Sequence, residues 1–273
     1  MGDMKTLDDN SDTVRTSVRE HYGKVAARES GCGCGPTCCS PETPAEEKHP
    51  AADAAQALGY SASDTQSVPD GSNLGLGCGN PLAIAALKPG QTVLDLGSGA
   101  GFDVFLASKA VGPAGRVIGL DMTPEMLAKA RKNQTRGRYE NVEFRLGEIE
   151  NIPIPDNSVD VIISNCVINL SPEKPRVFAE AFRALKPGGR LAISDVVALK
   201  PLPEKTKRDL ALHAGCVAGA VTVESIRTML KAAGFHHIQI DSKPQSAEFI
   251  QEWFPDLGIA DYIASATIEA CKP

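Results

Sequence analysis

The chain has 273 residues and a formal net charge of −6, with 42% apolar and 23% charged residues, enough for one α/β domain, or one with a small appendage, around a real core. No large basic block is present, which argues against nucleic acid or an acidic membrane surface as partner. No run approaches the ~18 apolar residues of a membrane span, and the polar Met1–Asn10 stretch lacks an apolar signal core, so a cytoplasmic protein is expected, with its eight cysteines as thiols, metal ligands or redox pairs rather than a disulfide framework.

In chain order, Thr13 to Arg28 reads as a helix with Val14, Val18 and Val25 on one stripe and Asn10, Ser11 and Asp12 as caps. A Gly- and Pro-rich stretch follows, carrying Cys32, Cys34, Cys38 and Cys39, and reads as a connector or metal loop. Ala51 to Leu58 reads as a short helix. From Thr92 the alternation is regular: strands at 92–96, 116–120, 142–146, 159–164 and 190–197, and helices at 102–111, 124–135 and 172–185. Pro124 after Thr123 marks a helix start, and Lys186-Pro187-Gly188-Gly189 marks a helix stop. Repeated βα units predict a doubly wound, mostly parallel sheet with helices on both faces. Beyond Pro203 the pattern weakens: helices at 204–213 and 223–233, a strand at 237–241, and two segments of unassigned type at 247–254 and 263–270. The expected division is 1–70 as an N-terminal helix and Cys-rich segment, 71–200 as the ligand-binding domain, and 201–273 as a small C-terminal α+β region.

The first strand runs into Asp95-Leu96-Gly97-Ser98-Gly99-Ala100-Gly101. Glycines between a strand and a helix permit a tight turn and close approach of a ligand to the backbone. Alone, the loop serves a dinucleotide or a methyl donor equally well. Three details favour the methyl donor. The glycine spacing is tighter than G-x-G-x-x-G. Asp121 ends the second strand, where a carboxylate can accept two ribose hydroxyls; its alternative role is a helix cap. Gly147-Glu148-Ile149 follows the third strand, where an adenine would lie, although Glu148 can equally be a solvated strand-end charge. No P-loop lysine is present.

These residues, with Leu185-Lys186-Pro187-Gly188-Gly189, resemble the class I S-adenosylmethionine-dependent methyltransferases over about 91–197. The cysteines narrow the resemblance. A lone cysteine at a strand end is usually a small buried hydrophobe, yet Cys78 sits between glycines in Gly77-Cys78-Gly79-Asn80. Cys166 lies in Ser164-Asn165-Cys166-Val167-Ile168-Asn169-Leu170 after the fourth strand, and Cys216 in Cys216-Val217-Ala218-Gly219-Ala220. With Asp121-Met122-Thr123 and Tyr22-Gly23-Lys24, these stretches closely resemble the arsenite methyltransferases over nearly the whole chain.

The resemblance implies a seven-stranded Rossmann-like methyltransferase sheet. It implies that Tyr22, Asp95, Gly97, Ser98, Gly99, Asp121, Met122, Glu148, Ile149 and Asn165 bind S-adenosylmethionine. It also implies that Cys78, Cys166 and Cys216 bind trivalent arsenic, arsenite and its methylated products being the substrates. A fourth, upstream cysteine would take part in thiol exchange; Cys38-Cys39 match best by position, with Cys32 and Cys34 equally close. Thioredoxin or glutathione is the expected reductant, and a monomer is expected. The C-x-C-x3-C-C spacing differs from zinc-ribbon pairs, which disfavours structural zinc. His213 stands where related sequences often have Trp, either reshaping the acceptor pocket or simply packed. Cys271 is either inert or a resolving thiol that reaches the pocket. Two rival readings stand beside this one: a methyltransferase for a small organic acceptor, and a metalloid-binding protein without catalysis.

Overall fold

The structure is a computed structural model that describes residues 8–27, 50–207, 209–247, 250–251 and 258–273. Cys32, Cys34, Cys38 and Cys39 therefore lie outside the described residues, as does part of the 247–254 segment.

Seven strands form one sheet: β1 (Thr92–Leu96), β2 (Arg116–Asp121), β3 (Val142–Leu146), β4 (Val159–Asn165), β5 (Leu185–Ala198), β6 (His236–Lys243) and β7 (Ile263–Cys271). Their order is β3-β2-β1-β4-β5-β7-β6. β1 to β5 pair in parallel, while β7 runs antiparallel between β5 and β6. The 201–273 segment thus supplies two strands to the same sheet. The strand order reverses between β1 and β4, and in such sheets the ligand crevice opens at the carboxyl ends of the strands at that reversal.

The period-two alternation of β4 explains the two cores. Val161 and Ile163 point to one face and Ile162 to the other. Helices α5 (Phe102–Val111) and α6 (Pro124–Gly137) cover the first face with Val104, Phe105 and Leu127. Helices α7 (Lys174–Ala184) and α10 (Val223–Ala233) cover the second with Val177, Phe178 and Leu230. Six shorter or peripheral helices complete the described residues: α1 (Asp8–Ala27), α2 (Pro50–Ala57), α3 (Ala62–Gln66), α4 (Leu82–Ala85), α8 (Glu204–Lys207) and α9 (Leu210–Ala214).

Three differences from the sequence reading have physical causes. The Lys186–Gly189 stop does not separate helix from strand, because β5 begins at Leu185 and carries these residues as an irregularity. Val159 pairs with Leu185 and Val161 with Arg190, and Gly188 adopts φ +76°. The 204–213 helix is two short helices, the second capped by Asp209, whose side chain accepts from the Ala211 and Leu212 amides. The 263–270 segment is a strand buried on both faces, and a short continuous apolar run cannot be told from a buried helix by periodicity.

Candidate active site

A cavity of about 490 Å³ opens at the β1/β4 reversal, lined by the Gly97–Ala100 loop, Asp121, Met122, Gly147, Ile149, Asn165, Cys166, Cys216 and, from α1, Arg15 and Tyr22. Gly97 has φ +74°, and a Cβ there would lie 2.4 Å from Val167 Cγ2; the donor loop can therefore pack against the turn after β4 only with glycine. The Gly97 and Ser98 amides donate to the Leu120 carbonyl at 2.7 and 2.9 Å. Asp121 stitches the loop together: its carboxylate accepts from the Gly99 amide at 2.9 Å and the Thr123 amide at 2.8 Å. It is buried and lines the cavity, so it orders the loop and faces the cavity at once. Thr123, not Asp121, is the N-cap of α6, and its side chain makes no cap bond.

Three carboxyl groups, Asp95, Asp103 and Asp121, line the cavity, and burial disfavours their charged forms. Burial raises the Asp95 carboxyl well above its ordinary range, with Asp103 and Asp121 adding to the shift. Burial also pushes Asp103 up to about 6, against hydrogen bonds from Tyr60 and Asn165. Burial raises Asp121, opposed by its amide donors. Ser98 Oγ is buried without a hydrogen-bond partner among the described residues. Three buried carboxylates, a glycine cradle and an unpartnered hydroxyl fit a ligand with hydroxyls, an ammonium and a sulfonium, as S-adenosylmethionine has.

The acceptor end is built from three separate chain segments. Cys78 is held by its backbone: its amide donates to Asn165 Oδ1 at 3.0 Å, and Ser265 Oγ donates to its carbonyl at 2.5 Å. The flanking glycines are sterically required. A Cβ on Gly77 would lie 2.9 Å from Asn165 Nδ2, and one on Gly79 would lie 2.9 Å from Ser194 Cβ. Cys166 and Cys216 both occupy the left-handed region, φ +60° and +61°, a conformation seldom taken by residues other than glycine and concentrated at functional sites. The Cys216 thiol donates to the Cys166 carbonyl at 2.7 Å. The Cys78 and Cys166 sulfurs and a carboxylate oxygen of Asp195 lie within 4.8 Å of one another.

All three thiols are held protonated. Burial pushes Cys78 from 9.0 up to about 12, against a hydrogen bond with Cys166. For Cys166 the bond with Cys216 favours the thiolate, but contact with Cys78 and burial outweigh it and raise the group well above its ordinary value. Cys216 is raised by its bond with Cys166 and by burial. A stability effect follows. Below pH 9 the folded and unfolded chains both keep the Cys78 proton. As pH rises from about 9 through about 12 only the unfolded chain releases it, so stability falls, by about 4 kcal/mol over three units. The urea midpoint of the reduced protein is expected to drop along this limb, and Cys78→Ser to remove Cys78's share; a limb unchanged in that variant would refute the assignment.

The other sequence candidates distribute as follows. Tyr22 lines the cavity and donates its hydroxyl to the Ala214 carbonyl at 3.1 Å, tying α1 to the Cys216 segment. Asn165 lines it too, but its amide is engaged with the Cys78 loop, donating to the Gly79 carbonyl at 2.8 Å. Glu148 is not among the lining residues; it bonds Arg19 at 3.2 Å and faces Arg15. The adjacent buried carboxylate, Glu150, lines the cavity instead, accepting from Ser171 Oγ at 2.6 Å. His213 is packed, with Nε2 on the Leu170 carbonyl at 3.0 Å and burial lowering its pKa. Cys271 pairs with Arg190 at the opposite end of β7 from Ser265, about 20 Å along the strand at ~3.3 Å per residue, so it does not reach the thiols. Sequence reasoning passed over Asp103, Asn169 and Asp195. The signal for Asp195 was present: Ser194-Asp195 is a polar pair inside the otherwise apolar Leu191–Ala198 run.

A glycine loop at the β1/β4 reversal, with an acidic residue ending β2, is the arrangement expected of a methyltransferase, and a family model described as a methyltransferase domain matches residues 87–234. An arsenite methyltransferase of Halobacterium salinarum is 52% identical over 97% of this chain and 68% of its own length. One of Aquipseudomonas alcaligenes is 38% identical over 81% of this chain and 62% of its own. This chain belongs to the arsenite methyltransferase family, spanning about two thirds or less of the length of these curated relatives. The crystal structure of an arsenic(III) S-adenosylmethionine methyltransferase from Chlamydomonas reinhardtii superposes with a TM-score of 0.61 at 31% identity, covering 82% of this chain and 73% of that one. Among the described residues no helix is long and apolar enough to cross a membrane.

Proposed function

We propose that Cys78, Cys166 and Cys216 hold trivalent arsenic at the inner end of the cavity, and that the enzyme methylates it there. The observation that carries this reading is the convergence of three thiols, from three distant segments, beside the Gly97–Asp121 donor site. Protonated thiols suit arsenite: each arsenic hydroxyl leaves as water with one thiol proton, giving three As–S bonds and no net proton release. A divalent cation would have to expel those protons to solvent.

Asp121 and the Gly97–Gly101 loop would hold S-adenosylmethionine, with Asp95 and Asp103 as carboxyl partners whose ionised forms its cationic end would favour. When bound, it supplies an electrophilic methyl group to the arsenic lone pair. A lone pair carries no proton, so no general base is required, and the chain's contribution is alignment and exclusion of water. α1 closes the cavity for this purpose. Arg15 pairs with Glu150 at 3.5 Å and with Glu173, and Val14 and Val18 pack on Leu170 and Cys216.

After transfer, arsenic is formally pentavalent. Two sulfur ligands leave as a disulfide, returning two electrons to arsenic; one outside thiol fills the open arsenic position and gives up its proton, and two further thiol groups, the dithiol of thioredoxin or two glutathiones, reduce the enzyme disulfide to two thiols and become a disulfide themselves. Cys38 or Cys39 would relay this exchange. Incubation with arsenite, S-adenosylmethionine and a thiol, followed by arsenic speciation, is expected to yield methylated arsenicals only with all three present. Bound arsenite without product would instead favour a metalloid carrier.

A further inference from the structure

Resting on the three-thiol reading above, we infer that Asp195 stabilises the positive charge that arsenic acquires as it is methylated. In that step the arsenic lone pair forms the As–C bond, the carbon–sulfonium bond breaks, and its electron pair stays on the departing thioether. A neutral tris-thiolate arsenic becomes a cation. Charge therefore moves from the donor sulfur to arsenic, and a fixed negative group beside arsenic binds the transition state more tightly than the ground state.

Asp195 is placed for this. Its carboxylate lies within 4.8 Å of the Cys78 and Cys166 sulfurs. Like Cys78, it does not line the cavity, whereas Cys166 and Cys216 do, so it stands outside the path of the donor. It is 1% exposed, which limits dielectric screening. Three donors fix it: the Ile168 amide at 2.9 Å, Asn169 Nδ2 at 2.8 Å and the Val196 amide at 2.7 Å. A carboxylate so held needs no reorganisation when charge develops. The Ile168 and Asn169 donors belong to the turn after Cys166, so the group that carries the charge is indexed to the sulfur it serves. Lys174, buried and bonded to the Ser171 carbonyl at 2.9 Å, is the positive group that acts on Asp195 and partly offsets its field.

The test compares D195N and K174M with the wild type at pH 7.5. Arsenite affinity is read by equilibrium dialysis with arsenic quantified by mass spectrometry, and methylation by single-turnover product formation. Wild-type methylation must first be seen; its absence would remove the three-thiol reading itself. Given that, D195N is expected to bind arsenite within about threefold of wild type while its single-turnover rate falls by about 10²- to 10³-fold. K174M, read additionally at about pH 8.5 so that Asp195 stays ionised without the Lys174 charge, is expected to keep or exceed the wild-type rate, because it removes an opposing charge. Parallel loss of arsenite binding and rate in D195N would make Asp195 a structural strut and overturn the inference. So would a rate within threefold of wild type. Should D195N not fold, K174M decides: at about pH 8.5, a rate below wild type with arsenite still bound overturns the inference.

Discussion

Cys166→Ser is expected to lose arsenite methylation by at least about a thousandfold, or ~4 kcal/mol of transition-state stabilisation, while binding S-adenosylmethionine as the wild type does. Serine keeps the size of the side chain and its hydrogen-bonding capacity but removes the soft sulfur donor. The turn should survive, because the Cys166 amide, bonded to the Ser194 carbonyl at 2.8 Å, is unchanged. The same loss is expected for Cys78→Ser and Cys216→Ser. Isothermal titration with the donor and a methylation assay with arsenite separate the two functions. A variant that methylated arsenite at the wild-type rate would remove that cysteine from the arsenic-binding set, and three such variants would end the arsenic reading. A methyltransferase for an organic acceptor predicts that outcome, since its apolar pocket would be indifferent to the exchange.

Asp121→Ala is expected to act at the other end of the cavity. The Gly99 and Thr123 amides both lose their acceptor, and each buried, unpaired amide costs about 1–3 kcal/mol. The loop that cradles the donor then loses its order, and the ligand loses its own carboxylate partner. The donor dissociation constant should rise by about a hundredfold or more, with a melting temperature lower by several degrees, roughly 2–4 °C per kcal/mol at this size. Arsenite binding should persist, because Cys78 and Cys166 are held from β4, β5 and β7 (through Asn165, Ser194 and Ser265) and Cys216 from the Cys166 and His213 carbonyls, with no hydrogen bond to this loop among these. Unchanged donor affinity would show that the carboxylate serves only the chain.

Much of this was legible in the chain itself. β1 to β4 and α5 to α7 were read close to their observed places, because each is a strongly patterned run punctuated by Gly or Pro. The Gly97–Gly101 loop and Asp121 were legible because a tight turn and a strand-end carboxylate have local signatures. The role of Glu148 was not. Whether a strand-end carboxylate faces a ligand or solvent depends on what lies across from it, and here that is Arg15 and Arg19 of α1. The 263–270 segment was ambiguous because a strand buried on both faces shows no alternation.

The cysteines divide the two levels most clearly. The glycines around Cys78 mark a close approach of the chain, and the order of βα units specifies the sheet; these are local or nearest-neighbour properties that a sequence carries, whereas the left-handed backbone of Cys166 and Cys216, locally disfavoured for cysteine, is imposed by the fold. That the three segments meet at one end of one cavity, that Cys271 lies at the far end of β7, and that Asp195 sits beside the thiols are matters of strand order and register. A two-residue difference in register moves a side chain by about 7 Å along the sheet, more than the whole span of the thiol–carboxylate cluster, so only the assembled fold could decide which polar groups share the site.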